Sequence, residues 1–178
     1  MRFAYADPPY LGSARRYVAH HPEALIWDDL ATHRALIERL GDDYPDGWAL
    51  SLGSPQLAQI LPLCPADVRI GAWVKPFASW KPGVDPAYAW EPVIFRGGRK
   101  AERDTATTRD WVSANITLER GLTGAKPRAF CRWVFALLNA LPSDELDDLF
   151  PGSGAVQAAW NEWAGAAPQQ FELQVSIA

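Results

Sequence analysis

Short apolar segments of strand length alternate along this chain with stretches of helical periodicity, and that alternation restricts the fold more than any other feature. Residues 2–6 alternate and then meet Asp7-Pro8-Pro9-Tyr10, where two prolines end any strand because neither can donate to a ladder. Residues 11–24 read as loop. From Asp29 to Leu40 the positions Leu30, Leu36, Ile37 and Leu40 make a helical face, with Asp28 or Asp29 as N-cap and Gly41 as its stop. Gly47 to Leu52 reads as a buried strand, Ser54 to about Leu63 as a short helix, and Val68 to Val74 as a strand halted at Lys75-Pro76. Ala89 to Arg96 is a further strand. Residues 127–141 carry the clearest helix, with Phe130, Trp133, Val134, Leu137, Leu138 and Leu141 on its apolar face. Leu146 to Phe150 reads as a strand, Ala155 to about Ala164 as a helix, and Phe171 to Ile177 as a last strand. Strands alternating with helices predict an α/β fold with a mostly parallel sheet.

The 178 residues suffice for one domain with a core, and 48% apolar with 21% charged residues is globular composition. No apolar run reaches the length of a membrane span, and the N-terminus lacks a signal-peptide pattern. Cys64 and Cys131 match no zinc or redox spacing, so a reducing compartment, the cytoplasm, is the expectation. A net charge of −4 excludes a generally basic nucleic-acid coat protein and shifts attention to local charge.

Two motifs carry chemistry. At the carboxyl end of a strand in an open α/β sheet, Asp7-Pro8-Pro9-Tyr10 faces the ligand crevice. Asp7 and a proline-region carbonyl can accept hydrogen bonds from one amino group, and Tyr10 can stack on a flat ring. That suits the exocyclic amino group of a nucleobase. The plainer alternative is a proline turn with Tyr10 in the core. Phe150-Pro151-Gly152-Ser153-Gly154 is a Gly-rich strand-to-helix turn, where backbone N–H groups and a helix N-terminus can receive an anionic group. The alternative is a tight turn and nothing more.

Together these motifs resemble those of the DNA amino-methyltransferases, which transfer a methyl group from S-adenosylmethionine to adenine N6 or cytosine N4. Lys126-Pro127, leading through a helix to Asp148-Leu149-Phe150-Pro151-Gly152-Ser153-Gly154, is similar to the family's Lys-Pro helix and cofactor strand. The resemblance covers residues 5–10 and 125–160; between them it is topological. It implies a single Rossmann-like methyltransferase domain over 1–178, circularly permuted because the catalytic motif comes first, and truncated after the cofactor loop. Residues 77–124 are the candidate substrate-recognition insertion. It further implies that Asp7 and the carbonyl of Pro8 accept hydrogen bonds from the target amino group, that Pro9 completes the catalytic motif, and that Tyr10 stacks on the base. Phe150, Gly152, Ser153, Gly154 and Asp148 would hold the cofactor, with Lys126 approaching its carboxylate. No metal is required. Asp at the first motif position leans toward adenine N6 in DNA, with RNA left open.

Three features depart from the family pattern. Glu172 is the lone acidic candidate in the tail for the cofactor ribose, Asp147 occupies a strand position where an apolar residue is expected, and the recognition region is short. A different class of reading is therefore kept beside the first: a methyltransferase-like protein without catalysis that binds nucleic acid or a protein partner. A homodimer or partner subunit would reconcile the two.

Local charge offers candidate nucleic-acid contacts at Arg15 and Arg16, and along Arg96, Arg99, Lys100 and Arg103 toward Arg109. His20-His21 lack the companions a metal site needs. Trp160 and Trp163 read as packing residues, and Ser51 lacks the context of a nucleophile.

Overall fold

The computed structural model describes residues 1–19, 21–77, 83–104, 106–116 and 125–165. The strand expected over 171–177, with Glu172, and His20 lie outside them. Six strands form one sheet: β1 (Arg2–Ala6), β2 (Gly47–Ser51), β3 (Arg69–Val74), β4 (Trp90–Gly97), β5 (Trp111–Ser113) and β6 (Glu145–Asp148). Their order is β5-β3-β4-β2-β1-β6. β1 pairs in parallel with β2 and β6, and β3 in parallel with β5; β4 alone runs against its neighbours β2 and β3. The helices are α1 (Leu30–Asp43), α2 (Leu57–Ile60), α3 (Arg128–Leu137) and α4 (Ala155–Gly165). This is the mostly parallel α/β sheet that the alternating pattern predicts.

β1 shows why the sheet is covered on both faces. Phe3 and Tyr5 point into a core built with Phe130, Val134 and Phe135 of α3 and Trp160 and Trp163 of α4. Ala4 and Ala6 point the other way, where their small side chains let Leu36, Ile37 and Leu40 of α1 approach. All four β1 side chains are at most 1% exposed. A strand buried on both faces is the signature of a parallel sheet sandwiched by helices. Each large apolar side chain so enclosed contributes about 1.5–3 kcal/mol. Trp160 and Trp163 pack edge-on against Phe135, as their spacing predicts.

Element boundaries depart from expectation for local reasons. Asp29 is the N-cap of α1, its carboxylate accepting from the Ala31 N–H at 2.9 Å. The helix continues through Gly41, the predicted stop, to Asp43, because Tyr44 is buried beyond it and keeps the last turn against the core. α3 is shorter than 127–141. Asn139 adopts a left-handed conformation (φ 49°) that ends the helical run, which leaves Leu141 outside the helix and 44% exposed rather than on its apolar face. β6 ends at Asp148; the Leu149 N–H still donates to the Tyr5 carbonyl of β1 at 2.9 Å, and the chain turns away there instead of continuing the strand to Phe150. β5 was not expected; three residues in an irregular region carry no periodicity to read.

Asp147, out of place in an apolar strand, is accounted for by β6 being the terminal strand of the described sheet. Its carboxylate accepts from Arg2 Nη2 at 2.6 Å and from the Tyr44 hydroxyl at 2.7 Å. Ser51, similarly, is a buried partner of the Tyr5 hydroxyl at 2.8 Å.

Candidate active site

β1 lies between β2 and β6, with α1 leading from it over one face and α3 leading into β6 over the other. The loops that follow β1 and β6 therefore diverge and open a crevice at the carboxyl ends of the two strands, the usual ligand position in open α/β sheets. The first loop is Asp7-Pro8-Pro9-Tyr10 and the second is Leu149 to Gly154. Two further segments reach the same end of the sheet. Lys126 precedes Pro127, the N-cap of α3, and that helix runs back across the sheet to β6. Glu91 opens β4, and because β4 is antiparallel its first residues lie where the parallel strands finish.

These residues form one ion-paired cluster. Lys126 Nζ lies 2.9 Å from Asp7 Oδ2 and 3.7 Å from Glu91 Oε2, and donates to the Tyr10 hydroxyl at 3.3 Å. Lys75 Nζ, from the end of β3, meets Glu91 Oε1 at 2.7 Å. The Tyr10 hydroxyl is 2.9 Å from Glu91 Oε2 and 3.3 Å from Asp7 Oδ1. Lys126 is also ringed by Tyr10, Trp73 and Phe130 at cation–π distances of 5.6–5.8 Å. Two carboxylates and two ammonium groups balance, as buried charges must.

Burial sets the electrostatics. It pushes the Asp7 carboxyl above the usual Asp range, against the pull of the Lys126 ammonium. Burial presses on Glu91 in the same direction, but Lys126 and Lys75 together hold it below its ordinary value. For Lys126 the burial penalty is outweighed by Asp7 and Glu91, which raise its pKa and keep it an ammonium. Burial, with Asp7 and Glu91 beside it, drives the Tyr10 hydroxyl well upward, so it remains a neutral donor.

An open cleft of about 390 Å³ runs from Asp7, Pro9 and Lys126 across to Phe150, Gly152 and Ser153. Its outer wall comes from the segment between β1 and α1, with Tyr17, His21 and Trp27; Trp27 meets Phe150 edge-on at 5.0 Å. Gly152 and Gly154 take left-handed conformations (φ 43° and 73°), and nothing occupies the space where a Gly154 side chain would be. The N-terminus of α4 follows directly, with Ser153 Oγ accepting from the Ala155 N–H at 3.4 Å. Asp148 Oδ1 accepts from the Phe150 N–H at 3.3 Å, whereas its buried Oδ2 has no partner among the described residues. Burial pushes this carboxyl up as well, the Asp7 charge adding to it.

The structure thus brings Asp7, Pro9, Lys126, Phe150, Gly152 and Ser153 to one cleft, with Pro8, Tyr10 and Gly154 in the loops that frame it and Asp148 at the end of β6. The ammonium of Lys126 points at Asp7. Arg15 and Arg16 are exposed in a single 3-10 turn just before Tyr17, which lines the cleft. The other basic candidates lie elsewhere. Arg96, next to last in β4, lies at the opposite end of the strands and donates through Nε to both Asp67 oxygens, at 2.8 and 3.0 Å. Arg99 binds buried Asp144, which also holds the N-terminal ammonium. Lys100 and Arg103 are exposed in the segment that follows, which is tied to the far end of α3 by the Arg99 N–H to Leu138 and the Thr108 hydroxyl to Ala136. No group of three or more metal-ligating side chains occurs among the described residues.

Glu91, Lys75, Tyr17 and Trp27 escaped the sequence reading. The one signal for Glu91 was an acidic residue within the otherwise apolar Trp90-Glu91-Pro92-Val93-Ile94-Phe95; Lys75 read as a strand stop.

No protein-family model and no curated protein sequence matches the chain. Solved structures do share its fold. The M1.HpyAVI–SAM complex matches with a TM-score of 0.60 at 13% identity, over 92% of this chain and 78% of the other. TTHA0409 of Thermus thermophilus, provisionally assigned as a DNA modification methylase and solved with S-adenosyl-L-methionine, matches with a TM-score of 0.54 at 17% identity, over 91% and 77%. The chain has the Rossmann-like fold of these proteins.

Proposed function

We propose that this protein transfers a methyl group from S-adenosylmethionine to the exocyclic amino group of a nucleobase in DNA, adenine N6 being the favoured position. One observation carries the reading: Asp7 and Pro9 of the first motif and Phe150, Pro151, Gly152 and Ser153 of the second line a single cleft at the carboxyl ends of β1 and β6. The fold shared with two proteins solved as S-adenosylmethionine complexes supports it.

The cleft suits that cofactor. The unpartnered Asp148 Oδ2 can receive an ammonium group, and the open space at Gly154 admits a ligand close to the backbone. Phe150 and Trp27 offer apolar faces, and the α4 N-terminus favours an anionic group. When bound, the cofactor supplies an electrophilic methyl group on a sulfonium.

The chain's own residues then orient the nucleophile. The target amino group donates one hydrogen to Asp7 and one to the carbonyl of Pro8, which turns its lone pair toward the methyl group as the nitrogen becomes tetrahedral. A carboxylate accepts several hydrogen bonds, so Asp7 can keep Lys126 while taking the substrate. Its position beside the nitrogen, with a proton affinity enhanced by burial, lets it receive the proton the product sheds. Positioning of this kind is worth about 7–11 kcal/mol when the geometry is right. Extruding the base from a duplex costs a few kcal/mol, which the cleft contacts must offset.

Calorimetric titration with S-adenosylmethionine, followed by transfer of labelled methyl to unmethylated DNA and analysis of the modified base, tests this. Binding, and label in N6-methyladenine, are expected. Asp7→Asn should lower transfer by about 10²-fold or more while cofactor affinity stays within a few-fold. Absence of binding at millimolar cofactor would overturn the assignment, and label in N4-methylcytosine would overturn the choice of adenine.

A further inference from the structure

The Tyr10 hydroxyl has one hydrogen and two carboxylates within reach. Glu91 Oε2 is at 2.9 Å and Asp7 Oδ1 at 3.3 Å, and its lone pair already accepts from Lys126. The shorter contact takes the hydrogen. Glu91 Oε2 also lies 3.7 Å from the Lys126 ammonium that pairs with Asp7, and Glu91 is itself anchored by Lys75 through its other oxygen. Its side chain is only 19% exposed, so the arrangement is not a solvated surface pair.

We propose that Glu91 is a positioning residue for Asp7: it draws off the Tyr10 hydrogen and shares Lys126, so that Asp7 Oδ1 stays free to receive the hydrogen of the substrate amino group. This rests on the methyltransferase reading for its consequence in catalysis, though not for the hydrogen-bond arrangement itself. Without the Glu91 charge, Tyr10 turns its hydroxyl to Asp7, and of the two carboxylates that Lys126 meets only Asp7 remains charged. Asp7 becomes both occupied and less basic. The antiparallel direction of β4 is what delivers the group; in a parallel strand the first residues would lie at the opposite end of the sheet.

The test compares wild type with Glu91→Gln, which keeps the shape and removes the charge, and with Glu91→Asp as the conservative rescue. The first readout needs no activity: a carbon-13 NMR titration of the Asp7 carboxyl in the ligand-free protein. Asp7 faces Lys126, Glu91, Tyr10, Tyr17, Tyr5 and Asp148, and only the Glu91 charge changes in the variant. Its midpoint should shift to lower pH in Glu91→Gln and return toward wild type in Glu91→Asp. The second readout is methyl transfer, where kcat should fall about tenfold or more, with the affinity for S-adenosylmethionine unchanged. An unmoved Asp7 midpoint in a folded Glu91→Gln protein would overturn the proposal. So would a moved midpoint with unchanged kcat. If wild type transfers no methyl at all, the reaction assignment fails while the titration still decides the role of Glu91.

Discussion

At the scale of single residues, close approach decides more than propensity. Gly71 in β3 lies under the indole of Trp133, and a methyl group there would come within 2.8 Å of Trp133 Cζ2 and 3.0 Å of the Asp110 carbonyl. The indole cannot swing aside freely, because its Nε1 donates to the Arg109 carbonyl at 2.8 Å. Gly71→Ala should therefore destabilise the protein by about 1–3 kcal/mol, read as a lower urea midpoint at unchanged slope. An alanine tolerated without loss would show that the indole can move. Nothing in the local sequence Arg69-Ile70-Gly71-Ala72-Trp73 discloses this, since the crowding residue lies on α3, far along the chain. The same holds for the partners of Asp7. The sequence marks Asp7 by its motif; Lys126 comes to it from just before α3, and Glu91 and Lys75 join the cluster through Lys126 from β4 and the end of β3.

At the scale of elements, the helices and central strands were legible because each carries its own periodicity. α1 shows both the strength and the limit of that reading. Its apolar face and its N-cap at Asp29 follow from spacing and chemistry, but its end does not, because tertiary burial of Tyr44 outweighs the weak helix propensity of Gly41. Asp29→Ala removes the bond to the Ala31 N–H and should cost about 1 kcal/mol, a fall of about 2–4 °C in Tm for a domain of this size. A thermal melt identical to wild type would mean that the Ala31 N–H finds solvent at no cost. β5, the last strand of the described sheet with three residues, has no such internal pattern and depends on pairing with β3 and on Val112 packing against the core.

At the scale of the whole molecule, the topology separates basic residues that the sequence groups only by type. Arg15 and Arg16 lie next to the cleft, whereas Arg96 and Arg99 lie at the other end of the sheet and hold Asp67 and Asp144. If DNA enters at the cleft, replacing both Arg15 and Arg16 by Ala should weaken DNA binding and flatten the dependence of log K on log salt by about two. Arg99→Ala should leave that slope unchanged and instead cost about 1–3 kcal/mol of folding stability, because buried Asp144 loses the Nη2 group that donates to both of its oxygens. Filter-binding titrations over a salt series, paired with urea denaturation, separate the two. A slope that changes with Arg99 and not with Arg15 and Arg16 would place the DNA surface at the wrong end of the molecule.

The α/β class, the two loop motifs and the residues expected to meet a ligand were all readable along the chain, because proline, glycine and apolar periodicity act through local backbone geometry. What surrounds those residues was not. Which side chains pair with Asp7, which basic residues face the cleft, and why Asp147 can occupy a strand all depend on strand order and direction, and the antiparallel β4 alone explains why Glu91 joins the cluster. Strand order joins positions far apart in the chain, and charge pairing across such distances leaves no periodic trace in one sequence.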